Sequence, residues 1–201
     1  MADIVYTFAG KPYLNLTNAC PCACTFCIRS AADGVGTAQS LWHQRDPSWE
    51  EIKAALEGYD FSRAREAVFC GYGEPFCALE MLQKTARRLK ERYPGMALRV
   101  NTNGLGDLIN QKPTAAALAG LVDAFSISLN APNAARYQEL CRTRFGEAAF
   151  DAVLRFAREC KSIYPKVILS AVDVITPAEI AQCRKIAEEL GLPLRLRHFT
   201  T

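Results

Sequence analysis

The sequence predicts an α/β fold in which a parallel sheet is assembled from six βα units. Two patterns lead there. Short runs rich in Val, Ile, Leu and Phe alternate with longer stretches of helical period. Glycine, asparagine and cysteine also gather just beyond the predicted strands, the end at which parallel α/β sheets bind ligands. At 201 residues, with 50% hydrophobic and 22% charged residues, the chain suits one domain spanning 1–201 with a sizeable core.

The elements follow in order. A first strand at 13–16 runs into the cysteine-rich segment Asn18 to Cys27, and Asp46-Pro47-Ser48 then punctuates the start of a helix at 49–57. A strand at 67–70 leads through Gly71-Tyr72-Gly73-Glu74-Pro75 to a helix at 78–93. The third strand, 98–101, ends at Thr102-Asn103-Gly104 before a helix at 114–121. The fourth, 124–129, ends at Asn130 before a helix at 147–164. The fifth, 167–172, precedes a helix at 177–190 that Thr176-Pro177 opens and Gly191 closes; a sixth strand spans 194–197. Periodicity alone leaves two arrangements open, a doubly wound sheet and an incomplete barrel.

Composition narrows the function classes. The first residues lack the charged and apolar regions of a secretory signal, and no apolar run reaches the roughly 18–20 residues of a membrane helix, so a cytoplasmic protein is expected. Net charge is +3 with Lys and Arg dispersed; the basic stretch at 83–94 suits the solvated face of a helix and leaves no nucleic-acid footprint. Nine cysteines, an odd number with four between Cys20 and Cys27, point in a reducing compartment to metal binding or catalysis. Cys70, Cys77, Cys141, Cys160 and Cys183 are scattered and expected to pack as small apolar residues.

Cys20, Cys24 and Cys27 form CxxxCxxC, three soft thiolate donors close enough to wrap one iron-sulfur cluster. Three thiolates on a 4Fe-4S cluster leave one iron open to an external ligand. Structural zinc is the competing reading, with Cys24 and Cys27 as a half-site. It would require a second pair or a nearby histidine, whereas the only histidines are His43 and His198 and no second CxxC exists. Cys22, between two candidate ligands, is taken as a small loop residue. Gly71 and Gly73 allow backbone to approach a neighbour closely, and an acidic Glu74 suits an ammonium group.

The cysteine loop, with Phe26 just before its third cysteine, resembles the cluster motif of the radical S-adenosylmethionine (SAM) superfamily. Gly71-Tyr72-Gly73-Glu74-Pro75 resembles the GGEP-type motif of that superfamily, with Tyr72 in place of the usual glycine. The resemblance implies that Cys20, Cys24 and Cys27 bind a 4Fe-4S cluster and that Gly71, Tyr72, Gly73 and Glu74 meet the amino group of SAM. It also implies that Asn103, Ser128 and Asn130, at the ends of the third and fourth strands, contact the rest of SAM. Ser126 shares the face of Ser128 but lies deeper.

The succession YLNLTNACPCACTFCIRS, VFCGYGEP, VNTNG and SISLNAP is similar to the small TatD-associated radical SAM group, from about Tyr13 onward. That likeness implies a partial (β/α)6 TIM-like barrel, a functional link to a TatD-type hydrolase and a reductant such as flavodoxin or ferredoxin. It implies an enzyme whose reduced cluster cleaves SAM to a 5'-deoxyadenosyl radical that abstracts hydrogen from a substrate it does not name. Candidate roles are action on a small molecule or modified nucleoside, activation of a glycyl-radical enzyme, and peptide maturation; an iron-sulfur or zinc binding module without turnover is the contrasting class.

Only three residues follow the sixth strand, so a single cluster is expected, with the mouth covered by the loop at 30–48, a partner or the substrate. Trp42, His43, Arg45 and Trp49 are candidate substrate contacts, and Asp173, Arg195, Arg197 and His198 stand at later strand ends. Alternation sets Arg195 and Arg197 on one side of their strand and His198 on the other.

Overall fold

The computed structural model describes residues 2–199; Thr200 and Thr201, which the sequence places after the last strand, lie outside them. Seven strands form one sheet in chain order: β1 (Val5–Phe8), β2 (Lys11–Leu14), β3 (Glu66–Phe69), β4 (Ala97–Thr102), β5 (Ala124–Ser128), β6 (Lys166–Val172) and β7 (Leu194–Arg197). β1 runs antiparallel to β2, and every later neighbour is parallel. The sheet is open, with β1 and β7 at its edges. Strands β2 to β7 with their crossovers make the partial TIM-like barrel.

Strand β1 corrects the six-strand expectation. It joins β2 through Ala9 and Gly10, both at positive φ (48° and 73°), a two-residue hairpin turn without the Asn-Gly or Asp-Gly pair that signals one. Pro12 lies inside β2, where proline argues against a strand, which is why the sequence starts this element two residues late.

The helices are α1 (Trp49–Glu57), α2 (Leu79–Arg92), α3 (Gly106–Asn110), α4 (Ala134–Cys141), α5 (Ala148–Ile163) and α6 (Pro177–Glu189). Helices α1 and α6 start at capping boxes, Ser48 with Glu51 and Thr176 with Glu179. The helix expected at 114–121 is instead one 3-10 turn, Ala115–Leu118, stopped before Gly120 at φ 74°. Helices α3 and α4 were not expected. The second is announced by Asn133, whose side chain accepts the Arg136 N–H at 2.9 Å. Among the described residues no helix is long and apolar enough to cross a membrane.

Alternation gives the sheet two unlike faces. The outer face carries Leu14, Phe69, Val100, Phe125, Ile127 and Leu169, all essentially sealed from water against the helices. Phe76, Phe125 and Phe156 meet there with ring centroids 5.4–6.4 Å apart. Each such ring contributes about 2–3 kcal/mol through burial. Cys160 and Cys183 are fully buried in this layer, as packed thiols should be. The inner face is polar: Cys70, Asn101, Ser126, Ser128, Ser170, Arg195 and Arg197 follow one another across β3 to β7.

Candidate functional site

The cysteine loop leaves β2 at the C-terminal end of the sheet, and two neighbours hold it. One is α4: the Ala23 N–H donates to the Cys141 carbonyl (3.1 Å), the Thr25 N–H to the Leu140 carbonyl (2.9 Å), and the Arg144 N–H to the Pro21 carbonyl (3.0 Å). A helix end with unpaired carbonyls is a natural acceptor for a loop that has no ladder of its own. The other is the glycine-rich turn after β3, whose Glu74 N–H donates to the Ala19 carbonyl at 2.8 Å.

Gly71 and Gly73 make that second contact possible. A Cβ on Gly71 would lie 2.0 Å from Asn15 Oδ1, and one on Gly73 would lie 2.2 Å from the Thr17 carbonyl oxygen. Neither has positive φ; the requirement is close approach, of Gly71 to the Asn15 side chain and of Gly73 to the Thr17 and Ala19 backbone. The two glycines thus bring the turn onto the root of the cysteine loop.

Glu74 is buried, and its carboxylate faces inward. Oε1 accepts the Thr102 hydroxyl (2.6 Å) and the Phe76 N–H (3.2 Å); Oε2 accepts the Asn103 N–H (2.7 Å). Burial outweighs these donors and pushes the carboxyl up from 4.5 to about 7. The side chain ties the end of β3 to the end of β4, so the motif presents mainly backbone to its surroundings. Tyr72 likewise turns its side chain away from the motif. It is 4% exposed, its hydroxyl donates to the Ala32 carbonyl, and its ring meets Trp42 edge-on at 5.1 Å. The residue standing where glycine is usual anchors the long loop at 30–48.

Cys20, Cys24 and Cys27 are half-buried and free of disulfides, without converging on one ion-sized point. Cys22 is buried beside Cys20 and Cys24, and hydrogen bonding among the three sulfurs holds its own thiol high and lowers theirs. Cys141, sealed at the end of α4, is also hydrogen-bonded to Cys24 and is the leading cause of that cysteine's lowered pKa. Burial raises Cys27. Arg29 opposes that rise, and its guanidinium donates to the Cys22 carbonyl at 3.2 Å and toward the Tyr72 carbonyl at 3.5 Å. The Asn103 amide points at the sulfurs, 3.7 Å from Cys22 and 4.0 Å from Cys20. Asn130, at φ 57°, sets its amide nitrogen 3.9 Å from Cys141 Sγ and leaves Oδ1 buried without a partner. Ser128 lies on the inner face near Arg197. The donor set of three half-buried thiols, a nearby guanidinium and amide groups facing sulfur fits an iron-sulfur cluster.

Other candidates find different employment. His43 Nε2 lies 3.1 Å from the Asn15 carbonyl, and its backbone pairs with Asn18. Arg45 makes a two-pronged pair with Glu51 at 2.8 Å on the surface. These contacts brace the base of the loop. Trp42 is 39% exposed, and Trp49 packs at the start of α1. Asp173 and His198 pair with each other at 2.7 Å on the surface. A cavity of about 310 Å³ lies outside this base between Ile4, His43 and Glu51 and touches none of the cysteines.

The roles of Asn15, Cys141 and Arg29 in the site escaped the sequence reading, and Thr102, named there only as part of a polar strand end, bonds Glu74. Asn15 is fully buried, donating to the Leu41 carbonyl (2.8 Å) and accepting the Tyr72 N–H (3.2 Å). Thr102 and Cys141 act through tertiary contacts that no local pattern announces. Arg29, two residues after the third cysteine, was legible as a cation beside clustered thiols.

An open, mostly parallel barrel carries a loop of three spaced cysteines at its C-terminal rim, the end at which such sheets bind ligands. The family model described as Radical SAM superfamily matches residues 14–186, and the chain belongs to that superfamily. No curated protein matches it in sequence. Among solved structures it is similar to native anSMEcpe with bound AdoMet (TM-score 0.66, 17% identity, 94% of this chain and 50% of that one). It is also similar to a radical SAM methyltransferase from Sphaerobacter thermophilus (TM-score 0.56, 17% identity, 96% and 68%). A third is TsrM from Kitasatospora setae, with cobalamin and a [4Fe-4S] cluster bound (TM-score 0.61, 14% identity, 94% and 34%). At these identities the likeness is one of fold, and the chain spans about half the length of the first of them.

Proposed function

We propose that the chain is a radical SAM enzyme that holds a 4Fe-4S cluster on Cys20, Cys24 and Cys27 and SAM at the adjoining strand ends, to abstract hydrogen from a substrate. The observation that carries this reading is the seating of the CxxxCxxC loop on the Gly71–Glu74 turn, closed by the 2.8 Å bond from Glu74 to Ala19, within a fold of this superfamily. When bound, the cluster supplies the electron that cleaves the sulfonium of SAM and so the power to break a C–H bond.

The chain's own residues do the rest. The carbonyls ending α4 and the turn after β3 fix the loop that carries the thiolates. Arg29 favours the thiolate at Cys24 and Cys27, and Asn103 directs an amide at the sulfurs, the kind of contact that tunes cluster potential. Glu74 holds the Asn103 backbone in place. Tyr72, Leu41 and Tyr6 form a small apolar cluster that pins the long loop beside the site and keeps water from that flank. A one-electron donor such as flavodoxin or ferredoxin, and a functional link to a TatD-type hydrolase, belong to the same proposal.

Anaerobic reconstitution with iron and sulfide, followed by SAM, dithionite and an assay for 5'-deoxyadenosine, tests it. Cluster uptake and SAM cleavage that vanish in Cys20→Ala, Cys24→Ala and Cys27→Ala are expected. Full iron in Cys24→Ala, or an iron-free, zinc-loaded protein without cleavage, overturns it.

A further inference from the structure

Arg195, exposed at the sheet edge, and the half-buried Arg197 share the inner face of the sheet, and each guanidinium has one serine hydroxyl for a partner. Their strand β7 pairs in parallel with β6, aligning Ser170 with Arg195 and Val172 with Arg197. Their side chains reach across β6 to β5, where Arg195 Nη2 lies 3.3 Å from Ser126 Oγ and Arg197 Nη2 lies 3.5 Å from Ser128 Oγ. Among the described residues neither guanidinium forms an ion pair with a carboxylate. The Nε of Arg197 is sealed from solvent without any acceptor. A guanidinium has five N–H donors in a planar fork, and a buried donor left unmatched is costly unless something else fills its place.

The surroundings deepen the cation excess. Arg195 lines a cavity of about 240 Å³ with Lys11, Glu66, Arg99 and Lys166. Glu66 is the only carboxylate there, and it serves Lys11 at 2.6 Å and Arg99 at 3.3 Å. Arg195 and Lys166 are left unneutralised beside it. At the upper end, Arg197 is close enough to Cys70, Cys24 and Tyr13 for its charge to be felt by them, so the guanidinium stands inside the cup beneath the cysteine loop. The two serines below the forks supply hydroxyls and no charge. A planar, doubly oxygenated anion matches such forks two bonds at a time.

We propose that Arg195 and Arg197 form an anion subsite inside the open barrel, which holds the carboxylate or phosphate group of a small substrate below the SAM site. Assigning that anion to a substrate rests on the radical SAM reading above; the binding itself does not. The cavity that Arg195 lines, at the N-terminal ends of the strands below Arg197, admits a group of phosphate or small dicarboxylate size. The open edge at β7 gives it a route in that does not pass the cysteine loop.

Isothermal titration of the reconstituted protein with pyrophosphate and with citrate tests the proposal, repeated on the full chain without its cluster. Saturable binding of either probe is expected, and which probe binds tells phosphate from carboxylate. Arg195→Gln and Arg197→Gln should weaken it at least tenfold, Arg197→Lys should weaken it less, and the surface substitution Lys84→Gln should leave it unchanged. Circular dichroism melting of each variant separates loss of the site from loss of the fold, and Arg197→Lys keeps the comparison available if the Gln variant unfolds. Absence of saturable binding of both probes, unchanged affinity in a folded Arg197→Gln, or displacement of the probe by saturating SAM overturns the proposal. Anion binding by a chain that takes up no iron sinks the radical SAM reading and leaves the subsite standing. Iron uptake and SAM cleavage without anion binding does the reverse.

Discussion

Glu74 offers the sharpest test of how the site is held together. Its carboxyl is fully enclosed and raised from 4.5 to about 7 because burial outweighs the donors of Thr102, Asn103 and Phe76. A group whose folded pKa lies above its unfolded one stabilises the protein fully below the unfolded value, and loses that contribution as pH rises through the folded value. The window is therefore between about 4.5 and 7, and the full displacement corresponds to about 3 kcal/mol. Glu74→Gln removes the ionisation while keeping shape and most hydrogen bonds. Urea unfolding of both proteins from about pH 5 to pH 8 should show wild type losing about 2–3 kcal/mol relative to the variant as pH rises. Parallel stability profiles for the two proteins would refute the inward, desolvated carboxylate. A difference that grows toward low pH would also refute it, since that sign belongs to a carboxyl whose pKa is depressed.

Three further outcomes follow from the same geometry. Gly73→Ala places a methyl 2.2 Å from the Thr17 carbonyl oxygen, and should cost about 3 kcal/mol by denaturant titration and lower cluster occupancy; a cost under about 1 kcal/mol would mean the two segments can part freely. Cys22→Ala should retain the iron of the wild type by metal analysis, since the Cys22 thiol is held high, whereas Cys24→Ala should lose it. Tyr72→Phe deletes the hydroxyl that holds Ala32, and should speed amide hydrogen exchange across 30–41 several-fold while leaving β4 and β5 protected; uniform exchange would deny Tyr72 its anchoring role.

Much of the architecture was legible along the chain. Each of the six parallel strands overlaps its predicted run, because an enclosed parallel strand must be apolar on its outer face and this one-dimensional pattern survives in sequence. Helices α1, α2, α5 and α6 fall where periodicity and capping residues put them. The failures share a cause. Strand β1 exists by pairing with β2 across a turn of unremarkable composition, and α4 is a short helix whose place depends on the loop it supports. The helix expected at 114–121 ends early because Gly120 takes a left-handed conformation.

The sequence by itself determined the α/β class, the thiolate loop and the strand ends at which chemistry collects, since these are local in the chain: ligand spacing, alternation and turn residues. The tertiary structure decided what the side chains do. It turned Glu74 inward, assigned Tyr72 to the long loop, brought Cys141 from α4 against Cys24 and set two arginines of β7 against the serines of β5. Spacing along a chain cannot encode such contacts, because whether a polar group is buried and which partner it meets depend on residues dozens of positions away that only the closed packing of the sheet brings near.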